Sequence, residues 1–193
     1  YTIGGQLVRQ LTSGEYEVID YYCTDATGKN FYYACNEGSP LEKYIYKVDA
    51  SGKKTKLSTE KGWNEAVFAN GCQYYLNTYS NLTTPPVYTL CNASGKALKV
   101  VEDNADLKNQ RDALSLGTVE LISVNTADGI QLNGWMVKPH DFDATKKYPV
   151  LMYQYGGPGY QMVFNSYNNG FMSGLMWEQH LAGKGYIVVC VDG

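Results

Sequence analysis

Tyr148-Pro149-Val150-Leu151-Met152-Tyr153-Gln154-Tyr155-Gly156-Gly157-Pro158-Gly159-Tyr160-Gln161 is a short apolar run that ends in a loop of three glycines and a proline. A run of this length closed by turn formers reads as a buried strand delivering a tight loop with exposed backbone. Tyr155 then stands at the carboxyl end of a core strand, the edge at which open α/β sheets bind their ligands. Two readings fit this tyrosine: a phenol aimed into a site, or a ring filling the space above a strand end.

Downstream of the loop, residues 171–184 place Phe171, Leu175, Met176 and Leu181 at helical spacing and stop at Gly183 and Gly185. Residues 186–191 are then apolar throughout, the pattern of a strand covered on both faces. Upstream, apolar stretches at 119–124 and 130–138 flank Thr126-Ala127-Asp128-Gly129, whose Asp-Gly predicts a hairpin. Residues 118–193 are therefore expected to form a sheet that turns parallel towards its end.

The first part of the chain repeats itself. Tyr46-Lys47-Val48-Asp49-Ala50-Ser51-Gly52-Lys53 returns as Tyr88-Thr89-Leu90-Cys91-Asn92-Ala93-Ser94-Gly95-Lys96, and Tyr32-Tyr33 returns as Tyr74-Tyr75; the leading tyrosines are 42 residues apart in both cases, with one residue inserted before the second Ala-Ser-Gly-Lys. Strands are predicted near 16–25, 30–36, 43–49 and 53–57, and again near 64–69, 72–79, 86–91 and 96–101, with Gly, Pro, Asn or Ser between them. A period near 42 built of four short strands marks β-propeller blades. Two blades cannot close a ring, so further blades are expected upstream of Tyr1. The polar stretch 102–116 predicts a short helix capped by Asn104 or Asp106. Its acidic start and Arg111 near its end read as charges kept for solubility. The expected organisation is thus propeller blades over 1–101, a connection over 102–117 and the second sheet over 118–193.

Composition bounds the function. The 193 residues carry a net charge of -3 and no Lys/Arg cluster, which disfavours nucleic acid. Tyrosine is in excess, 18 against 5 Phe, which suits half-buried strands. No stretch approaches the roughly 20 apolar residues of a membrane span, and the start has no signal-peptide pattern. Cys23, Cys35, Cys72, Cys91 and Cys190 have no metal-ligand spacing and sit largely in strand-like runs, so buried free thiols are expected and the redox compartment stays open. Trp63, Trp135 and Trp177 read as packing residues. Met162-Val163-Phe164 reads either as core or as lining beside the glycine loop.

Leu11-Thr12-Ser13-Gly14, Glu102-Asp103-Asn104, Lys146-Lys147-Tyr148-Pro149-Val150-Leu151, Tyr155-Gly156-Gly157-Pro158 and Val191-Asp192-Gly193 together resemble the prolyl oligopeptidase family of serine peptidases, and within it the dipeptidyl peptidase IV branch. The resemblance implies a β-rich fold, with the last two blades of an eight-bladed propeller followed by the N-terminal part of an α/β-hydrolase domain. It implies an exopeptidase parent that releases dipeptides with Pro or Ala in second place through an acyl-serine. A peptide substrate, no cofactor or metal, a homodimeric parent and an extracytoplasmic location are further implications. Tyr155 matches the family tyrosine that donates its hydroxyl to the oxyanion of the tetrahedral intermediate.

The departures from the family pattern are equally specific. Ser13, Ser166 and Ser173 lack the flanking glycines of a Gly-x-Ser-x-Gly elbow, and His140 and His180 precede the place of the nucleophile, the wrong order for this fold. The family's paired glutamates that hold the substrate's amino terminus are absent as well. An endopeptidase, an acylaminoacyl-peptidase or a non-catalytic binding protein of the same architecture stay open as alternatives. Taken alone, the chain is expected to be inactive and to self-associate through an uncovered sheet edge at 187–191. Asn81-Leu82-Thr83 and Asn92-Ala93-Ser94 are sequons that matter only in a secretory host.

Overall fold

The computed structural model describes residues 1–157, 159–170 and 172–192, so Pro158, Phe171 and Gly193 lie outside the described residues. The chain divides into two compact units, one of residues 1–79 with 87–102 and one of residues 80–86 with 103–193.

The first unit holds two four-stranded sheets, consistent with propeller blades. One is β1 (Val18–Thr24), β2 (Asn30–Cys35), β3 (Tyr44–Asp49) and β4 (Lys54–Lys56). The other is β5 (Trp63–Phe68), β6 (Tyr74–Ser80), β7 (Val87–Asn92) and β8 (Ala97–Glu102), and in both the spatial order follows the chain. The tight hairpins share one construction. Asp25, Asp49 and Asn92 each start a turn in which the glycine three residues on, Gly28, Gly52 or Gly95, has positive φ and donates its N–H back to the first residue's carbonyl at 2.9 Å. The side-chain oxygen of that first residue also accepts: Asp49 Oδ1 takes the N–H of Ser51 (2.8 Å) and Lys53 (3.0 Å), and Asn92 Oδ1 takes those of Ser94 (3.0 Å) and Lys96 (3.1 Å).

The difference between Asp49 and Asn92 has a measurable consequence. Hydrogen bonds from Ser51, and then from the Lys53 backbone, hold the Asp49 carboxyl below its ordinary range. A depressed folded-state pKa gives stability that is present above the unfolded value of about 3.9 and is lost as pH falls through the folded value. The Asp49 resonance should therefore titrate below about 3.9, and Asp49→Asn should remove that turn's share of the acid sensitivity, as Asn92 does natively. A midpoint at or above about 3.9 would contradict the turn described here.

The tyrosines occupy both faces of these sheets. Successive strand residues point to opposite faces, so Tyr32 joins a core with Ile45, Leu57, Ala66, Cys72, Tyr75 and Cys91, while Tyr33 joins Cys35, Tyr44, Tyr46 and Val48 on the other side. Phe68 stacks on Tyr75 at 4.7 Å and tilts against Tyr32 at 4.9 Å, filling the space between the two sheets. The repeat does not hold to this level: Tyr75, the equivalent of Tyr33, is buried as Tyr33 is, whereas Tyr74, the equivalent of the buried Tyr32, is half exposed. Lys43 is buried but paired with Asp20 (2.5 Å) and Glu65 (3.3 Å), as a desolvated cation requires. Cys23 and Cys72 form a disulfide across a separation of 49 residues, whereas Cys35, Cys91 and Cys190 are buried free thiols. The expectation of five free thiols thus fails for one pair, because β1 and the β5–β6 turn bring two distant cysteines together.

The second unit contains α1 (Ala105–Asp112), β9 (Thr118–Asn125), β10 (Gln131–Lys138), β11 (Val150–Tyr153), a 3₁₀ turn (Ser173–Leu175), α2 (Met176–Ala182) and β12 (Ile187–Val191). Among the described residues neither helix is long or apolar enough to cross a membrane. Asn104 stands at the N-cap of α1, but its side chain donates to the Pro86 carbonyl (2.7 Å) instead of capping. Arg111 corrects the solvation reading: it is only 8 % exposed, donates to the Thr83 carbonyl at 3.1 Å and lies over the Tyr167 ring.

β9 and β10 pair antiparallel through the Thr126–Gly129 turn. β12 then lies between β10, antiparallel, and β11, parallel, giving the order β11-β12-β10-β9. The uncovered edge expected at 187–191 is therefore wrong. The helical crossover returns β12 into the sheet rather than adding it outside, which buries Val188, Val189, Cys190 and Val191. β11 is an outer strand of the described sheet instead, with Val150 and Met152 exposed.

Candidate active site

Tyr155 lies two residues beyond the end of β11, and Asp192 lies just beyond the end of β12. The parallel register pairs Tyr153 with Cys190, so both residues extend past the same carboxyl edge of the sheet at the same level. The strand beneath is firmly held. Trp135 of β10 is fully buried and meets the Tyr153 ring edge-on at 5.5 Å, and the Tyr153 hydroxyl donates to Glu178 Oε1 of α2 at 3.3 Å. Burial, and then the Glu178 charge, push the Tyr153 phenol well above its ordinary range, so it stays a donor. Burial likewise pushes the Cys190 thiol up to about 11, which leaves it unreactive.

Tyr155 itself is 56 % exposed. Its ring meets Tyr160 in a T-shaped contact at 4.6 Å. A Cβ on Gly157 would stand 2.6 Å from the Tyr155 Cε1 atom, so glycine at 157 is what lets the ring lie over the loop. The loop closes on itself through Tyr160 N–H to the Gly157 carbonyl (3.2 Å), with Gly159 at positive φ. It is then anchored twice. Asp192 accepts the N–H of Met162 on Oδ1 (2.8 Å) and of Val163 on Oδ2 (3.0 Å), and buried Asn169 receives the Phe164 N–H (3.1 Å) while donating to the carbonyls of Phe164 and Ser166. The only hydrogen-bonding atom that the Tyr155 side chain brings to this edge is a phenol oxygen. It can donate to an anion developing above the strand ends.

The other sequence candidates are dispersed. Ser13 and Ser173 are exposed, and Ser166 is buried with its hydroxyl 3.4 Å from that of Ser80. His140 is exposed with Nδ1 3.9 Å from Asp141 Oδ1, and His180 is exposed on α2. Among the described residues no hydrogen bond joins a serine to either histidine, and no group of His, Cys, Asp and Glu gathers as metal ligands. Val163 is core, with Met162 and Phe164 half-buried on either side. Trp177 departs from the packing expectation, with 36 % of its surface exposed. Both sequon asparagines use their side-chain oxygens in turns, Asn81 accepting from Thr83 and Thr84.

Asp192 was read from sequence only as part of the Val191-Asp192-Gly193 motif, with no role given to it, and Tyr160 and Asn169 carry no motif that assigns them one. The available signal was a carboxylate placed directly after a strand buried on both faces, where a carboxylate is best used to hold loop N–H groups.

Residues 1–86 match the family described as "Dipeptidyl peptidase IV (DPP IV) N-terminal region". The chain is 34 % identical over 189 residues to "Probable dipeptidyl-aminopeptidase B" of Chaetomium globosum and 33 % identical over 190 residues to that of Podospora anserina. Each match covers 95 % of this chain and 20 % of the relative, so the chain spans about a fifth of the length of these relatives. The crystal structure of Porphyromonas gingivalis dipeptidyl peptidase 4 superposes over 100 % of this chain and 27 % of its own, with a TM-score of 0.91 and 41 % identity. In sequence and in fold alike, the chain is dipeptidyl peptidase IV-like.

Proposed function

We propose that the whole protein is a serine exopeptidase that releases N-terminal dipeptides with Pro or Ala in second place, and that Tyr155 stabilises the oxyanion of its tetrahedral intermediates. The observation that carries this reading is the placement of the Tyr155 phenol beyond the carboxyl ends of two parallel strands, over a glycine that leaves its ring room. A donor held there before reaction needs no reorganisation when charge develops on the substrate carbonyl, which is the condition for electrostatic stabilisation. The names of the relatives support the dipeptidyl class. In this reading residues 1–101 are the C-terminal propeller blades, 102–117 the connection and 118–193 the start of the hydrolase domain. The nucleophile and its Asp and His come from elsewhere in the protein, the active form is a homodimer, and the Cys23–Cys72 disulfide suits an extracytoplasmic location.

The test is an assay of the full-length protein on Gly-Pro and Ala-Ala chromogenic amides with free and with blocked amino termini. Release from the free substrates, quenched by a serine-directed phosphonate, is expected. Preference for blocked substrates would favour an endopeptidase or acylaminoacyl-peptidase, and no turnover of either would favour a binding protein.

A further inference from the structure

We infer that Asp192 is a positioning residue for Tyr155, acting through the loop that follows it; the inference rests on the oxyanion role proposed for Tyr155. Asp192 is fixed by its own backbone, whose N–H donates to the Asn133 carbonyl of β10 at 2.9 Å. Its two carboxylate oxygens then accept from two successive backbone N–H groups, Met162 and Val163. Each N–H meets a different oxygen, so an amide at 192 would set its NH2 group, a donor, against one of the two. Charge-assisted bonds of this kind are about twice as strong as neutral ones.

The clamp is short-ranged along the chain. Met162 is two residues from Tyr160, whose ring is the edge-on neighbour of Tyr155, and the turn from Gly157 to Tyr160 fixes how far apart those rings can stand. Releasing the clamp removes the hold on the N–H groups of Met162 and Val163 while leaving β11, and the attachment of Tyr155 to it, intact. The expected result is a phenol still present but less well aimed, and misplacement near 1 Å can lower turnover about 100-fold.

The experiment is steady-state kinetics of the full-length protein on the Gly-Pro amide for Asp192→Ala, Asp192→Asn and each combined with Tyr155→Phe. Asp192→Ala should lower kcat by about 10- to 100-fold with KM within about twofold, and Asp192→Asn, which keeps one acceptor, should lose less. In the Tyr155→Phe background either change should lower kcat by no more than about threefold further, since the aimed hydroxyl is already gone. Should Asp192→Ala fail to fold, Asp192→Asn and Tyr160→Leu carry the same comparison. Losses that multiply in the double variants, or an unchanged kcat in a folded Asp192→Ala protein, would overturn the positioning role and leave the oxyanion role standing. An unchanged kcat for Tyr155→Phe alone would overturn both.

Discussion

On the proposed function, Tyr155→Phe is expected to lower the turnover of the full-length protein by about 100- to 1000-fold while leaving substrate binding nearly unchanged. The substitution removes one oxygen and keeps the ring. The edge-on contact with Tyr160 at 4.6 Å and the fit over Gly157 are ring contacts, so the loop should stay where it is. A group that acts only on developing charge affects the transition state and not the bound substrate, which places the loss in kcat. Steady-state kinetics with a matched thermal melt checks this, and a kcat within about twofold of the unsubstituted protein's would remove Tyr155 from the proposed chemistry.

The second large effect concerns stability, at Gly117. This residue precedes β9, and a Cβ there would stand 1.8 Å from the Lys138 carbonyl oxygen, a contact that only backbone movement could relieve. Its N–H donates to Gln179 Oε1 at 2.7 Å and its carbonyl accepts from Gln179 Nε2 at 3.1 Å, with Gln179 buried on α2. Gly117→Ala must therefore move the strand end away from Lys138 and break a two-point pairing, leaving buried polar groups unmatched. Overpacking and an unsatisfied amide together suggest a loss of about 3–5 kcal/mol. Urea unfolding should show it as a lower midpoint at constant slope, and a loss under about 1 kcal/mol would mean that this corner is more compliant than described.

Much of the fold was legible because its signals are local. The 42-residue repeat, the Asp-Gly hairpin and the apolar run at 186–191 each report a period or a turn that neighbouring residues dictate. Strand order is a different matter. A continuous apolar run shows that β12 is covered on both faces and says nothing of which strands flank its edges, so its insertion between β10 and β11 was not readable. Arg111 illustrates the same limit: at the end of a polar helix its charge suits the dipole, yet Thr83 and Tyr167, distant in sequence, bury it. Cys23 and Cys72 are 49 residues apart, and only the packing of two sheets brings them together.

The site was legible in part for the same reason. Tyr155 stood out because a strand, a glycine loop and a family motif coincide in one short stretch. The two anchors of that loop did not, since Asp192 lies 30 residues beyond Met162 and Asn169 works through backbone atoms that no side-chain pattern reveals.

The most direct test of the central claim is a crystal structure of the full-length protein with a proline-containing boronate or phosphonate dipeptide bound covalently, in which a tetrahedral oxygen stands in for the oxyanion. The Tyr155 hydroxyl should lie about 2.7–3.1 Å from that oxygen. A hydroxyl beyond about 3.5 Å, with the oxygen held by other donors, would contradict the role given to Tyr155.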